Sequence, residues 1–365
     1  MDKGLPLNDK APPGEQLEPA NPWPHVLLPP LHERVDSSAT GGGSIRAVYE
    51  HGIEFIDQMG SIDGYMAAWM GTAALICLAL GIWTLLDAPT AYPLHALWVF
   101  GLVLTLAVGR IDSVGYRYQP VLFDKQAQKV HLFSDLGTPW WEVWKLFGRT
   151  SFRVDSFDWE SVRGEVAELQ VLGGTNLPRK EYALMLAVTD RPGGTNVIAR
   201  FGVGFTMGYD GGATQMGRWE HIRRYMRGEG PALAYGDALY VDESMGNWWG
   251  ALTFAQPLLG PGSKAYWTGE ALRGAWFLTI PVGLFMLVFL LPLTVPASLI
   301  RWLAHKGKGV PRWPDEIQAS VGSSVDPPMG GPRASHAAID YGKPIPQFTL
   351  KEKRARDKRR KQGLA

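Results

Sequence analysis

Three stretches of the chain are apolar with no charge inside them, while the rest alternates or is polar. The first, Met66–Leu86, MAAWMGTAALICLALGIWTLL, is uncharged over twenty-one residues. About twenty residues at 1.5 Å each cross a hydrocarbon core of about 30 Å. The second, Tyr92–Val108, has seventeen residues, with the imidazole of His95 near one end. Between them, Asp87 and Pro89 in DAPTA break the helical period and leave room only for a tight turn. The pattern predicts an antiparallel transmembrane hairpin over residues 64–109, because a soluble helix of this length would carry a polar face. The third stretch, residues 275–300, is uncharged for twenty-six residues, enough for one crossing and too few for two. Pro281, Pro292 and Pro296 predict kinks or an early end. The expectation is a third transmembrane segment over 274–303 that spans to about Leu293 and then turns along the interface to Trp302, or re-enters.

After Arg110 the period changes from helical to alternating, which marks a boundary. YRYQPVLFD (116–124) and KVHLF (129–133) read as a strand hairpin, and SFRVD (151–155), EVAELQVL (165–172), EYALMLAVT (181–189) and NVIARFGVGF (196–205) as further strands. GGTN at 173–176 and DRPGG at 190–194 supply turn glycines. QMGRWEHIRRYMR then places Met216, Trp219, Ile222 and Met226 on one helical face. Residues 110–228 therefore predict an antiparallel sheet of six or seven strands closed by a C-terminal amphipathic helix. The remaining segments are read from composition and spacing. Residues 1–44 hold eight prolines and end in GGGS, which predicts disorder. The loosely helical apolar spacing of 45–63 predicts a short amphipathic helix, packed on the soluble domain or lying on the bilayer. Residues 229–273 form a Gly-rich juxtamembrane loop, and 304–365 a basic, largely disordered tail. The fold class is an α+β membrane protein.

A strand sheet with a closing helix, attached to a membrane hairpin, resembles a pleckstrin-homology-like domain between transmembrane segments. The residues QPVLFDKQAQKVHLF (119–133), FDWESVRGEV (157–166), AVTD (187–190), RFGVGF (200–205), WEHIRRYM (219–226) and VPRWPDEI (310–317) resemble a proteobacterial membrane protein family of unknown function, DUF6708. The resemblance implies an uncharacterised membrane protein associated with type VI secretion effector and immunity gene clusters. It carries no catalytic motif.

Composition adds little to the fold but bears on sidedness. A net charge of +1 hides residues 351–361, KEKRARDKRRK, with eight Lys or Arg against two acidic residues. The lone Cys77 excludes an intramolecular disulfide and a Cys-based metal site. Among fifteen tryptophans, Trp83, Trp276 and Trp302 sit at span ends, where an amphipathic ring suits the headgroup layer. The hairpin turn carries no Lys or Arg, whereas Arg110, Arg117, Lys125 and Lys129 follow the second span. That places the sheet and the N-terminus in the cytosol of an inner membrane. A single crossing by the third segment would then put Arg301, Lys306, Lys308, Arg312 and the tail on the opposite face, so either the third segment is re-entrant and both parts are cytosolic, or the sheet is outside and the tail inside; the empty hairpin turn favours the cytosolic sheet.

Chemistry is sparse. The eight histidines are scattered singly, and no metal motif, G-x-S-x-G elbow or Walker loop is present. His131 reads as a strand histidine, and FGVGF (201–205) as a strand rather than a phosphate loop. Asp155, Asp158, Glu160 and Glu165 surround Trp159, and are read as turn caps and a solvated strand edge before any acid–base pair. Trp140, Trp141 and Trp144 in GTPWWEVWKLFG can dip into the bilayer or pack on the sheet. Arg218, Arg223, Arg224 and Arg227 can meet anionic lipid or a partner, or form a solvated helix face. The function expected is non-enzymatic, with no cofactor, metal or nucleic acid. It is an immunity or accessory factor of a type VI effector system acting by protein binding, the alternative being a membrane-anchored lipid-headgroup sensor.

Overall fold

The computed structural model describes residues 17–36, 39–57, 64–139, 142, 145–172, 178–207, 212–234, 237, 239–240, 247–255, 276–325, 339–340 and 343–344. In chain order its strands are β1 (His25–Leu27), β2 (Ile45–Val48), β3 (Gly52–Phe55), β4 (Val121–Asp124), β5 (Lys129–Asp135), β6 (Phe152–Asp158), β7 (Val162–Leu172), β8 (Pro178–Thr189) and β9 (Val197–Met207), with a two-residue pair, β10 (Ile339–Asp340) and β11 (Lys343–Pro344), in the tail. Its helices are α1 (Tyr65–Asp87), α2 (Tyr92–Ser113), α3 (Ala213–Arg227), α4 (Trp248–Ala255), α5 (Trp276–Gly307) and α6 (Asp315–Val321).

Two antiparallel sheets form the domain, one in the order β2-β3-β4-β5-β6 and the other β1-β7-β8-β9. Alternation along the strands gives each sheet an apolar inner face. Ile53, Phe55, Val121, Phe123 and Val130 of the first meet Val162, Val166, Leu184, Leu186 and Val203 of the second in one core. Helix α3 closes it with the face read from the sequence, Trp219, Ile222 and Met226, joined by Tyr225. A Cβ on Gly164 of β7 would lie 2.8 Å from the Trp219 ring, so only glycine lets that indole lie flat on the strand.

Over the described residues 45–57 the expected amphipathic helix is replaced by the β2–β3 hairpin, whose second strand pairs Phe55 with Val121 across the whole α1–α2 helical hairpin. The apolar spacing that looked helical is instead that of a strand buried on both sides, since all four residues of β3 are buried. The sheet domain thus begins before the hairpin, not at residue 110. Disorder over 1–44 fails for the described part. β1 pairs with β7, Leu17 is buried, and Glu18 bridges to Asn196. Residues 1–16 lie outside the described residues. The disordered-tail reading fails likewise for 304–325. Helix α5 continues to Gly307, and Trp313 and Val321 then pack on Leu122 and Phe133, covering the outer face of the first sheet.

Among the described residues, three helices are long and apolar enough to span a membrane. α1 and α2 pack antiparallel, and Gly81 is the close approach, because a Cβ there would lie 2.6 Å from the Trp98 ring. Side chains distant from the domain stand exposed, Leu86 at 80%, Leu97 at 67% and Phe289 at 64%, as lipid-facing residues would. α5 is continuous for thirty-two residues, about 48 Å at 1.5 Å per residue, through all three prolines. The interfacial turn expected after Leu293 does not occur. The C-terminal end of α5 meets the start of α1, where Gly64 packs against Arg301 and Gly71 against Ile300. The sheet domain and residues 308–325 therefore sit at the same end of the helices, which removes the conflict between the sheet and the Arg301–Arg312 charges.

Candidate functional site at the helix and domain junction

All three long helices end at one place, and a carboxylate ties them. Asp112, in the last turn of α2, accepts from the Gly64, Met66 and Ala67 amides at 3.1, 2.8 and 3.3 Å. These are orphan donors of the α1 N-terminus, so a residue of a neighbouring helix serves as its cap. The same carboxylate accepts from Lys308 Nζ at 3.2 Å, just beyond α5, with that lysine 7% exposed. Arg117 adds a bond to the His305 carbonyl at 3.0 Å, and Tyr116 bridges to Gly309.

Arg110, one turn in from the end of α2, is buried and donates through Nε to the Lys145 carbonyl at 3.1 Å and through Nη2 to the Pro139 carbonyl at 2.9 Å. Ser113 donates to the Leu146 carbonyl. Pro139, Lys145 and Leu146 are thereby held against the end of α2. A small cavity of about 60 Å³ lies there, lined mainly by Ala67, Gly71, Gly109, Arg110, Phe147 and Ile300. Trp140, Trp141 and Trp144 lie outside the described residues, although both flanks of their loop, Pro139 and Lys145, are at the junction.

Beyond the junction, residues 308–325 cross the outer face of the first sheet over buried polar groups. Glu54 accepts from Trp313 Nε1 at 2.9 Å and Tyr49 Oη at 3.0 Å, with Arg46 Nε at 3.5 Å. Burial raises its pKa above the ordinary carboxylate value, and burial together with Glu54 pushes the Tyr118 phenol up to about 12. Asp124 accepts from Ser320 and the Ala127 amide, with His131 Nε2 at 3.8 Å and His131 Nδ1 in turn 2.7 Å from Ser156 Oγ. Burial raises Asp124, but His131, the amide and Ser320 outweigh it and leave its pKa below the ordinary value.

The arginines read as a lipid or partner surface are placed otherwise. Arg218 is fully buried, its guanidinium bonded to the Gly41, Val203 and Phe205 carbonyls, Gln215 and Ser44. Arg223 is buried and takes both Glu220 oxygens at 2.9 and 3.0 Å. Arg224 is half-buried and bonds Glu220 at 2.6 Å, while Arg227 lies at the surface and pairs with Glu229 at 2.7 Å. Arg218 and Arg223 are therefore internal ties and offer no lipid surface, because carbonyls from distant segments meet the charge of Arg218 and the buried Glu220 carboxylate of the same helix meets that of Arg223. Of the four carboxylates around Trp159, Glu165 is buried on the outer face of the second sheet, bonded by Asn21 and Arg200. The other three stay on or beside β6. Sequence reading missed Asp112, Glu54, Trp313 and Glu220. Two of them carried a signal, Asp112 as an acid one turn past an apolar span and Glu220 as an acid three and four residues before Arg223 and Arg224 on one helix.

Residues 98–324 match the model of the family of unknown function DUF6708, and the chain belongs to that family. The match ends one residue short of Val325, the last residue of the segment packed on the first sheet. No curated protein and no solved structure matches.

Proposed function

We propose that this chain is a non-enzymatic, multi-pass protein of a bacterial inner membrane whose pleckstrin-homology-like domain binds a protein partner at the cytoplasmic face, as an immunity or accessory factor of a type VI secretion effector system. The observation that carries the membrane-mounted part is the junction. The three apolar helices are tied through Asp112 and Lys308 to a sandwich whose strands come from both sides of the hairpin. Arg110, Arg117, Arg301, Lys306, Lys308 and Arg312 all stand at the domain end of the helices, and the turn over 88–91 has no Lys or Arg. That asymmetry supports a cytoplasmic domain. Two packed antiparallel sheets closed by α3 support the pleckstrin-like reading, with β1–β3 as additions ahead of the membrane hairpin.

Orientation is tested by placing Thr90→Cys in a Cys77→Ser background and treating intact cells with a membrane-impermeant maleimide. Labelling at position 90 is expected; labelling only after lysis would reverse the orientation. Partner function is tested by deleting the gene and challenging the cells with sibling attackers. Loss of survival against one neighbouring effector is expected, and unchanged survival against all of them refutes the immunity reading.

A further inference from the structure

The outer edge of β6 differs from every other sheet edge in the domain. β1 has three residues. On β2, the Val48 carbonyl accepts from the Val325 amide and the Ile45 carbonyl from the Tyr240 amide. β9 is engaged by Glu18, Ile56, Ser44 and Arg218. β6 is seven residues long, and its register with β5 fixes which backbone groups face away. Leu136 N–H bonds the Ser151 carbonyl and Trp159 N–H the Gln128 carbonyl, so residues 153, 155 and 157 point their N–H and C=O toward β5. Phe152, Val154 and Ser156 point both groups outward and Asp158 its N–H, where none has a partner among the described residues, while the Asp158 carbonyl starts the short 3-10 turn Trp159–Ser161. Folded proteins rarely leave so long an edge uncovered.

The edge is also polarised along its length. At one end Phe152 is 44% exposed, stacked on Phe133 and close to Tyr116 at the junction. At the other end Asp158 and Glu160 are exposed and neither has an ion pair among the described residues; Lys129 stands across from Asp158. In the middle Arg153 is taken up by Asp155 at 2.9 Å. We propose that β6 is a strand-addition site for an extended segment of a partner protein that sets an apolar residue beside Phe152 and a basic residue beside Asp158 and Glu160. Backbone ladder bonds supply the affinity, and the two ends supply direction and selectivity. This rests on the protein-binding reading and names the kind of partner that reading requires.

The test uses the full chain in lipid nanodiscs. Proline at Ser156 removes one outward N–H and blocks the edge while leaving the β5 ladder intact, since proline is tolerated on an outward-facing edge position. Ser156→Ala removes only the hydroxyl. A phage library of random peptides is selected on the wild-type chain and counter-selected on Ser156→Pro. Enriched peptides are expected to alternate, with an apolar residue toward one end and Lys or Arg toward the other. They should bind Ser156→Ala as they bind wild type, and Ser156→Pro at least about tenfold more weakly. Enrichment that ignores the proline, or none at all, overturns the proposal. Hydrogen exchange on the free chain supplies the second reading, with the outward amides of 152–158 expected to exchange fast and to become protected by a selected peptide. Slow exchange in the free chain also overturns it. Dependence on protein concentration would then assign the edge to a second copy, and independence to the chain's own tail. Either result leaves the effector-challenge test of partner function unaffected.

Discussion

Replacing Glu220 with Gln tests whether the arginines of α3 are internal. The Glu220 side chain is fully buried and accepts four hydrogen bonds, from Arg223 Nε and Nη2, Arg224 Nε and the Val35 amide, at 2.6–3.1 Å. Glutamine keeps the shape but removes the charge and turns an amine toward donors. Breaking one partner of a buried charge pair costs roughly 3–5 kcal/mol. Arg224 can turn to water and Arg223 retains Glu229 at 3.4 Å, so Glu220→Gln should cost about 3 kcal/mol, at the lower end of that range. Urea unfolding of the full chain in nanodiscs, followed by tryptophan fluorescence, should show a lower midpoint at unchanged slope. The pH dependence gives the sign. Burial raises the Glu220 pKa, but Arg223, the Val35 amide and Arg224 outweigh it and hold it at about 2 against an ordinary 4.5. The unfolded chain therefore takes up this proton first as pH falls. The stabilisation is full above about 4.5 and fades as pH drops from there toward 2. The gap between wild type and Glu220→Gln must shrink over that window. A cost under about 1 kcal/mol, or a gap that does not change with pH, would refute the internal-tie assignment and return these arginines to the surface.

Asp112→Ala should lower the thermal midpoint by an amount equivalent to about 1–2 kcal/mol, the cost of a lost helix cap. Asp112→Asn keeps an acceptor and should lose less; equal behaviour of the two would show that the cap is not what holds the junction. Gly81→Ala brings a methyl to 2.6 Å from the Trp98 ring and should destabilise the α1–α2 hairpin by about 1–3 kcal/mol. Pairing it with Trp98→Ala should recover part of that loss in thermal scans. Trp313→Ala should cost about 3–5 kcal/mol by uncovering Phe133 and stripping Glu54 of a donor. Trp313→Phe, which loses the N–H and part of the ring volume but keeps an aromatic cover, should cost less, about 1–3 kcal/mol. Limited proteolysis at residues 308–325 separates the two.

What could be read in advance follows from range. The long helices are uniformly apolar, and β7, β8 and β9 alternate over eleven or twelve residues, so their existence is a local property. β1, β2 and β3 have three or four residues each, and β3 is buried on both faces, so no alternation marks it. Its partner Val121 is sixty-six positions beyond Phe55, out of reach of any local pattern. The α3 arginines fail for a related reason. A helical wheel reports which residues share a face, but not that the Gly41 and Val203 carbonyls arrive from elsewhere to take up Arg218. The polarity of the junction was partly legible, since Arg110 and Asp112 close the second apolar span.

The long-range pairings also change what the hairpin does. A flexible connection between β3 and β4 would carry a loop-closure entropy cost that the four paired residues of each strand must overcome. Here the connection is two antiparallel helices whose ends are fixed together by the Asp112 cap, so Gly64 and Ser113 emerge side by side. α5 does the same for the segment carrying Trp313, delivering Lys308 to that carboxylate and Gly309 to Tyr116. Domain ends held together in this way favour closing the first sheet between β3 and β4 and covering its outer face. A change in how the helices pack at the cavity beside Arg110 would be felt first through Lys145 and Pro139, the anchors of the loop that leads into β6.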